Sequence, residues 1–331
     1  MKIRRMKVLG EAEGIYHCMS RIAGGAALLG RREKEVLRRQ IRQVADFCGV
    51  EVLTFSVMSN HFHVLVRVPP ESERRAVETR ELVRRVGVLY PPQRVAAWEG
   101  RLEHEQIGER EKAREELLAR MGDVSGYLKE LKQRFSIWYN RTHQRYGTLW
   151  AERFRSVLVE PSSRALLTVA CYIDLNPVRA GLCRDPKDYR FCGYAEAVAG
   201  ERTARKGLCR VMGAADWRKA VREYRQVLFG LGCHTDLGSE GGISAEGFQK
   251  VRQKGGKLTL AELLRCRIRY FSDGVAIGSR EYVERVFREH RSYFSPRRKN
   301  GARRIRGADK SRLYALRDLR QGVVGYENRR G

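Results

Sequence analysis

Two runs of alternating residues, joined by a two-residue turn, place the strongest constraint on the fold of this 331-residue chain. Residues 51–58 and 61–68 are rich in β-branched and aromatic side chains, and the Ser-Asn pair between them is typical of a tight turn. A third alternating run at 14–20 is followed by apolar residues at helical spacing in 31–48. This order of strand, helix and hairpin predicts the first half of a ferredoxin-like antiparallel sheet.

The second half of the sheet is predicted further along the chain. The residue pattern indicates an amphipathic helix at 126–141, a strand at 154–160, and a helix at 164–175 that ends before an Asn-Pro pair. The charged segment 69–124 has helical periodicity and is interpreted as an insertion of polar helices. The predicted fold class is therefore α+β, a ferredoxin-like (RRM-like) antiparallel sheet with packed helices.

The residue pattern changes after about residue 200, so we expect one unit over 1–204 and a helical, basic C-terminal extension over 205–331. Helices are expected at 258–271 and 278–288, followed by a basic, turn-rich linker at 291–307. We interpret the extension as a candidate DNA-binding region.

The balance of charge points to a polyanionic partner. Lys and Arg number 66 against 39 Asp and Glu, which gives a net charge of +27. A compact fold with this excess repels itself unless a polyanion is near, and nucleic acid is the leading class. No apolar run of membrane-spanning length and no apolar signal core is visible, so we expect no membrane and a cytoplasmic location. The eight cysteines form no CxxC pair, which disfavours a zinc ribbon and indicates mostly buried thiols.

The strand at 61–68 carries a His-x-His pattern. Because side chains alternate along a strand, His61 and His63 share a face while Phe62 points into the core. Two neutral imidazoles so close together can share one divalent metal ion. The alternative is two surface histidines on an edge strand.

A polar line is expected on the helix at 164–175. Tyr172 and Asn176 are four positions apart and share a helix face, away from the apolar stripe of Leu166, Val169 and Ile173. Tyr172 is therefore a candidate nucleophile beside an amide ligand. The alternative is a half-buried tyrosine and a helix-capping asparagine before proline.

A basic and aromatic segment lies around the start of the fourth predicted strand, and a further arginine follows the first predicted strand. Guanidinium groups contact phosphates and aromatic rings stack on unpaired bases, so this composition indicates DNA contact. The alternative is a solvated loop with a few core aromatics. The candidate DNA-binding residues are Arg21, Arg141, Arg145, Trp150, Arg153 and Arg155.

The order of these features resembles the HUH single-tyrosine transposases, in particular the branch of REP-associated tyrosine transposases. The resemblance extends over residues 12–200, apart from the insertion. The matching stretches are YHCMSR (16–21), SVMSNHFHVLVRV (56–68), LKELKQRFSIWYNRTHQRYGTLWAERFRSVLVE (128–160) and YIDLNPVRAGL (172–182).

The resemblance implies a function and a site. His61 and His63 would be metal ligands, Asn176 a third ligand, and Tyr172 the nucleophile that forms a 5′-phosphotyrosine. The implied cofactor is Mg²⁺ or Mn²⁺, and imidazole ligands suit Mn²⁺ better. The implied activity is cleavage and rejoining of single-stranded DNA at hairpin ends, by a monomer or a homodimer.

Other functions stay open on the sequence. The chain could be a domesticated protein that binds hairpin DNA without cutting it, an HUH replication initiator or relaxase, or an RNA-binding module of ferredoxin-like shape. Tyr16, Tyr139 and Tyr146 are rival nucleophiles, but none has a polar partner four residues on in a helix that also reaches the histidines.

Overall fold

The computed structural model describes residues 6–8, 12–161, 163–230, 271, 274–305 and 313–317. The elements of the first part of the chain are β1 (Gly14–Arg21), α1 (Arg31–Cys48), β2 (Glu51–Val57), β3 (His61–Val68), α2 (Glu71–Arg75), α3 (Thr79–Leu89), α4 (Pro92–Leu102), α5 (Ile107–Leu118), α6 (Val124–Thr142) and β4 (Arg155–Val159). The later elements are α7 (Ser163–Asp174), α8 (Asn176–Arg179), α9 (Gly193–Val198), α10 (Arg202–Met212), α11 (Trp217–Gly230), β5 (Ala276–Gly278), α12 (Arg280–Glu289), β6 (Arg303–Arg304) and β7 (Tyr314–Leu316).

The first four strands form the centre of the molecule. Their order in the sheet is β2-β3-β1-β4, and each neighbouring pair is antiparallel. This is the ferredoxin-like order, with α1 and α6 as the two connecting helices. The predicted α+β fold class is confirmed, and the four helices α2–α5 occupy the predicted insertion.

One face of the sheet is covered by α1 and α6. Phe62 is fully buried on this face, where its ring packs against Trp150, which in turn packs against Phe135 of α6. The two helices are joined where Tyr127 Oη donates to the carbonyl oxygen of Ile41 at 3.1 Å. The α1 helix ends at Gly49, which has a φ of 64°, a left-handed conformation that glycine adopts without strain.

The opposite face is covered by α7, α9 and α10. The buried Asp174 of α7 accepts hydrogen bonds from Thr54 Oγ1 of β2 at 2.7 Å and from Tyr224 Oη of α11 at 2.5 Å. In α10, a Cβ atom added at Gly207 would lie 2.6 Å from the carbonyl oxygen of Leu53, so only glycine permits this approach. These contacts hold α7 and α10 against β2, the strand beside β3.

The C-terminal extension joins the same sheet. Within the described residues the strand order continues as β4-β5-β7-β6, and β5 pairs with β4 in parallel. These three short strands were not predicted, whereas α12 matches the helix expected at 278–288. The helix expected at 258–271 lies outside the described residues except for Phe271, and no helix of the described parts is long and apolar enough to cross a membrane. The domain boundary at 204 stays a prediction, although that residue lies within α10.

Candidate active site

The face of the sheet beneath α7 carries three histidines. His61 and His63 are two positions apart on β3. On β1, Met19 pairs with His63, and His17 is two positions before Met19. Residues that alternate on a strand, or pair directly across strands, share a face, so the three imidazoles lie on one side. Ring centroids are 5.0 Å apart for His61 and His63, and 5.1 Å apart for His17 and His63.

Hydrogen bonds orient the two imidazoles predicted to bind metal. Asn60 Nδ2 donates to the carbonyl oxygen of Gly25 at 3.0 Å, which leaves Asn60 Oδ1 to accept from His61 Nδ1 at 2.6 Å. His63 Nδ1 lies 2.9 Å from His17 Nε2. In both rings Nδ1 is engaged by a neighbour, and Nε2 is the nitrogen that remains for a metal ion.

Burial keeps the three imidazoles neutral near pH 7. Burial lowers the pKa of His17 to about 4 and that of His61 to about 4, and the positive charge of Arg179 acts in the same direction. The pKa of His63 is also well below its usual value, chiefly through burial and then through His17 and His61. A neutral imidazole has the lone pair that a metal ligand needs.

Tyr172 lies beside these histidines in the same chain. Its ring centroid is 5.9 Å from that of His17 and 5.9 Å from that of His63. The guanidinium carbon of Arg179 is 4.1 Å from the centroid of the Tyr172 ring, and the ring of Phe271 packs against Tyr172 at 4.6 Å. The helix α7 thus places a half-buried phenol next to the imidazoles of His17 and His63.

Asn176 is buried at the junction of α7 and α8. Its Nδ2 donates to the backbone carbonyls of Tyr172 at 3.0 Å and Ile173 at 3.3 Å, which is the helix-capping role considered from the sequence. Its Oδ1 accepts from Arg179 Nη2 at 2.7 Å. The oxygen that would bind a metal is therefore shared with a cation, and the role of Asn176 as third ligand stays a prediction.

The donor set fits a divalent metal in part. Among the described residues, no cluster of three or more His, Cys, Asp or Glu side chains is arranged to hold a metal ion. His61 and His63 supply two neutral nitrogens, and a third ligand must be an oxygen of another kind, such as the amide of Asn176 or a phosphate. Two imidazoles with oxygen ligands suit Mn²⁺, and Mg²⁺ accepts fewer nitrogens.

Two of the predicted DNA-binding arginines lie on the site face. Arg21 pairs with His61, and Arg155 pairs with Met19, so both side chains share the face of the histidines. Arg153 is exposed in the segment just before β4. Arg155 forms an ion pair with Glu152 at 2.9 Å, and the role of these arginines in DNA binding stays a prediction.

The remaining predicted DNA contacts lie elsewhere. Arg141 lies in the last turn of α6 and Arg145 follows its end, and this helix packs on the other face of the sheet. Trp150 is only 7% exposed, and its ring packs between Phe62 and Phe135. Its indole is a core group in this structure, the alternative weighed for such aromatics, because its apolar ring fills the space under α6.

Sequence reasoning assigned no role to three residues of this site. His17 lies within the matched stretch at the first strand, and its alternation with Arg21 is the signal that could have placed it on this face. Arg179 is seven positions after Tyr172, two turns along the helical path. No local sequence pattern indicates the contact of Phe271 with His17, because the two residues are 254 positions apart in the sequence.

One segment of the chain matches the model of a known protein family. Residues 12–77 match the family model described as "Transposase IS200 like". Over this segment the chain is similar to the IS200-like transposases. This match confirms the resemblance to single-tyrosine transposases that the motifs predicted. The matched segment includes β1, α1, β2 and β3, and therefore all three histidines, but it ends before α7 and Tyr172.

Two further comparisons add little. No curated protein matches this sequence significantly. A solved structure of a REP-associated tyrosine transposase bound to a REP hairpin is 14% identical, with a TM-score of 0.35, and the alignment covers 60% of this chain and 87% of that chain. A likeness with so low a TM-score carries no argument about this protein.

Proposed function

We propose that this IS200-like transposase cleaves and rejoins single-stranded DNA at hairpin ends, with Tyr172 as the nucleophile. The observation that carries the proposal is the placement of Tyr172 within 5.9 Å, between ring centroids, of both His17 and His63. More than a hundred positions separate the phenol from these histidines in sequence, and the fold brings them to one face. The cytoplasmic location and a monomeric or homodimeric state stay predictions.

The chemistry follows from the groups present. The Tyr172 hydroxyl oxygen attacks the phosphorus of a DNA phosphodiester, and the bond from phosphorus to the 3′ oxygen breaks. The phenol loses its proton, the departing 3′ oxygen gains one, and the strand is linked as a 5′-phosphotyrosine. Because an ordinary phenol with a pKa of about 10 leaves more readily than an alkyl alcohol, a 3′-hydroxyl can reverse the step. No ATP is consumed.

Side chains around the phenol have separate roles. His61 and His63, with Asn176 as a proposed third ligand, would hold Mg²⁺ or Mn²⁺, which supplies Lewis-acid polarisation of the phosphate when bound. The guanidinium of Arg179 beside the Tyr172 ring can donate charge-assisted hydrogen bonds to a phosphate oxygen. Arg21 and Arg155 on the same face bind the flanking backbone.

We propose that the C-terminal extension also contacts DNA. Arg297 and Lys299 are exposed in the loop between α12 and β6, and Arg303 and Arg304 are exposed on β6. Cationic side chains at a rim of the sheet attract a polyanion whatever its sequence.

Covalent attachment of DNA tests the proposed activity. The full-length protein is incubated with labelled single strands taken from palindromes in the DNA flanking its gene, with Mg²⁺ or Mn²⁺, and resolved under denaturing conditions. Wild type should retain the label, and Tyr172→Phe should retain none. Tyr146→Phe is the matched control, because Tyr146 is 94% exposed and lies outside the site.

Two results would overturn the proposal. Attachment by Tyr172→Phe at the wild-type level would exclude this nucleophile. Hairpin binding by wild type without any attachment in either metal would instead favour a domesticated DNA-binding protein.

A further inference from the structure

A chain of two buried hydrogen bonds links the C-terminal region to the candidate metal ligand His63. The Nδ1 atom of His17 lies 2.8 Å from the carbonyl oxygen of Phe271, and the Nε2 atom of His17 lies 2.9 Å from Nδ1 of His63. His17 is 0% exposed and His63 is 4% exposed, so water does not compete for these bonds. The resemblance and the family match assign no role to His17.

The direction of each bond follows from the chemistry of the groups. A carbonyl oxygen can only accept, so His17 Nδ1 carries the hydrogen that Phe271 receives. A neutral imidazole has one N–H, and therefore His17 Nε2 must accept. The donor in the second bond is then His63 Nδ1. A neutral His63 with its hydrogen on Nδ1 has its lone pair on Nε2.

We propose that His17 is a positioning residue that holds His63 in the tautomer whose Nε2 binds metal. This inference rests on the proposed metal site of His61 and His63. His61 reaches the same state through Asn60, a residue of its own turn. His63 reaches it through a strand neighbour whose own tautomer is set by the backbone of Phe271. The C-terminal region thus completes the donor set without contributing a ligand.

The bond also holds the ring of His63 in place. A metal-bound histidine is oriented by the acceptor at its other nitrogen, and removal of such an acceptor typically weakens metal affinity about 10- to 100-fold. Without His17, the Nδ1–H group of His63 has no described acceptor, and nothing then disfavours the tautomer with hydrogen on Nε2. That second tautomer cannot bind metal through Nε2.

The first experiment reads the tautomer directly. Full-length protein labelled with ¹⁵N-histidine and free of metal is examined by long-range ¹H–¹⁵N correlation NMR, with His63 assigned through a His63→Gln variant. The expected result is hydrogen on Nδ1 for both His17 and His63 near pH 7. A wild-type His63 with its hydrogen on Nε2 would overturn the proposal, whatever the activity of the protein.

The second experiment measures Mn²⁺ affinity in the absence of DNA, by electron paramagnetic resonance. His17→Phe removes the acceptor and should weaken Mn²⁺ binding about tenfold or more. His17→Gln can both donate and accept, and should retain affinity within about threefold while keeping hydrogen on Nδ1 of His63. Unchanged affinity in His17→Phe, or equal loss in both variants, would contradict the positioning role.

A buried histidine elsewhere provides the matched control. His290 is 7% exposed and its Nε2 lies 3.0 Å from the carbonyl oxygen of Lys7, so His290→Phe removes a comparable core bond away from the site. Its Mn²⁺ affinity should equal that of wild type. Affinity as low as in His17→Phe would attribute the loss to general destabilisation and contradict the proposal.

The two proposals fail separately. Wild type that binds no Mn²⁺, or binds it equally after His61→Ala, would remove the proposed metal site. That result would also contradict the claim that His63 binds metal through Nε2. The tautomer of His63 measured by NMR would still show whether His17 orients its ring.

Discussion

The four N-terminal strands and the three C-terminal strands belong to one sheet but are specified in different ways. Strands β1 and β3 are eight residues long and pair along their whole lengths. Strands β5 and β7 have three residues each, and β6 has two. A long strand shows its alternation in the sequence, whereas a strand of three residues forms only where an existing edge accepts it.

This difference has a consequence for the site. Each candidate ligand and the candidate nucleophile come from the first region and the helix that follows it. Among the residues that the structure describes, Phe271 alone reaches the site from the C-terminal part of the chain, through its backbone carbonyl and its ring. The candidate site is therefore built on the long strands and α7, and Phe271 packs against it from the C-terminal part of the chain.

The largest contrast is expected in stability. Phe62 is 0% exposed in the four-stranded part and Phe294 is 2% exposed in the C-terminal part. Phe62→Ala should lower the free energy of global unfolding by about 3–5 kcal/mol, through lost burial and a cavity. Phe294→Ala should mainly lower the free energy of a local opening that exposes β7. Native-state hydrogen exchange at increasing denaturant measures both. Equal loss of protection in β3 and β7 in both variants would show that the two regions unfold as one.

A smaller, pH-dependent effect is expected at Asp174 of α7, which links β2 of the first region to α11. Burial raises the pKa of this carboxyl from 3.8 to about 7, against hydrogen bonds from Tyr224 and Thr54 that lower it. The folded state then retains a proton that the unfolded state has already lost. The contribution of Asp174 to stability is full below the unfolded pKa and falls as pH rises toward the folded value.

Asp174→Asn removes this titration. Relative to the variant, wild type should lose about 1–3 kcal/mol of unfolding free energy between about pH 5 and pH 7.5. Urea denaturation of both proteins across this range gives the measurement. Parallel pH profiles would mean that the carboxyl stays ionised in the folded protein.

The smallest effect is expected at the proposed DNA-binding rim. Replacing Arg297 and Lys299 by Ala should weaken single-stranded DNA binding a few-fold and reduce the slope of log affinity against log salt by about 1. Arg110→Ala with Lys112→Ala removes two exposed cations on α5 as the matched control. If the salt slope of the control variant falls as much as that of the Arg297 and Lys299 variant, the effect comes from net charge and not from contact with DNA.

The sequence predicts the first region well for a physical reason. Alternation and helical spacing are local, and burial on one face enforces them, so β1–β4, α1, α6 and α7 could be recognised. Their order brings Tyr172 to the face of the sheet that carries His63, and its role there stays a prediction. Trp150 could not be placed this way, because an aromatic near arginines suits either a core or a DNA surface, and only packing against Phe62 decides.

The second region could not be predicted because its contacts join residues that are far apart in the sequence. The acceptor for His17 is a backbone carbonyl, which no side-chain pattern encodes, and it lies 254 positions away. The pairing of β5 with β4 likewise depends on an edge formed by residues more than a hundred positions earlier. Arg179 shows an intermediate case, since helical geometry relates it to Tyr172 but not to the imidazoles.

Mapping the residue that carries DNA after reaction is the most direct test of the central claim. The covalent complex is digested with protease and nuclease, and the peptide that retains a nucleotide is sequenced by mass spectrometry. The structure predicts a 5′-phosphotyrosyl nucleotide on Tyr172 and on no other residue. A nucleotide on Tyr16, Tyr139 or Tyr146, or a peptide without any nucleotide, would contradict the account.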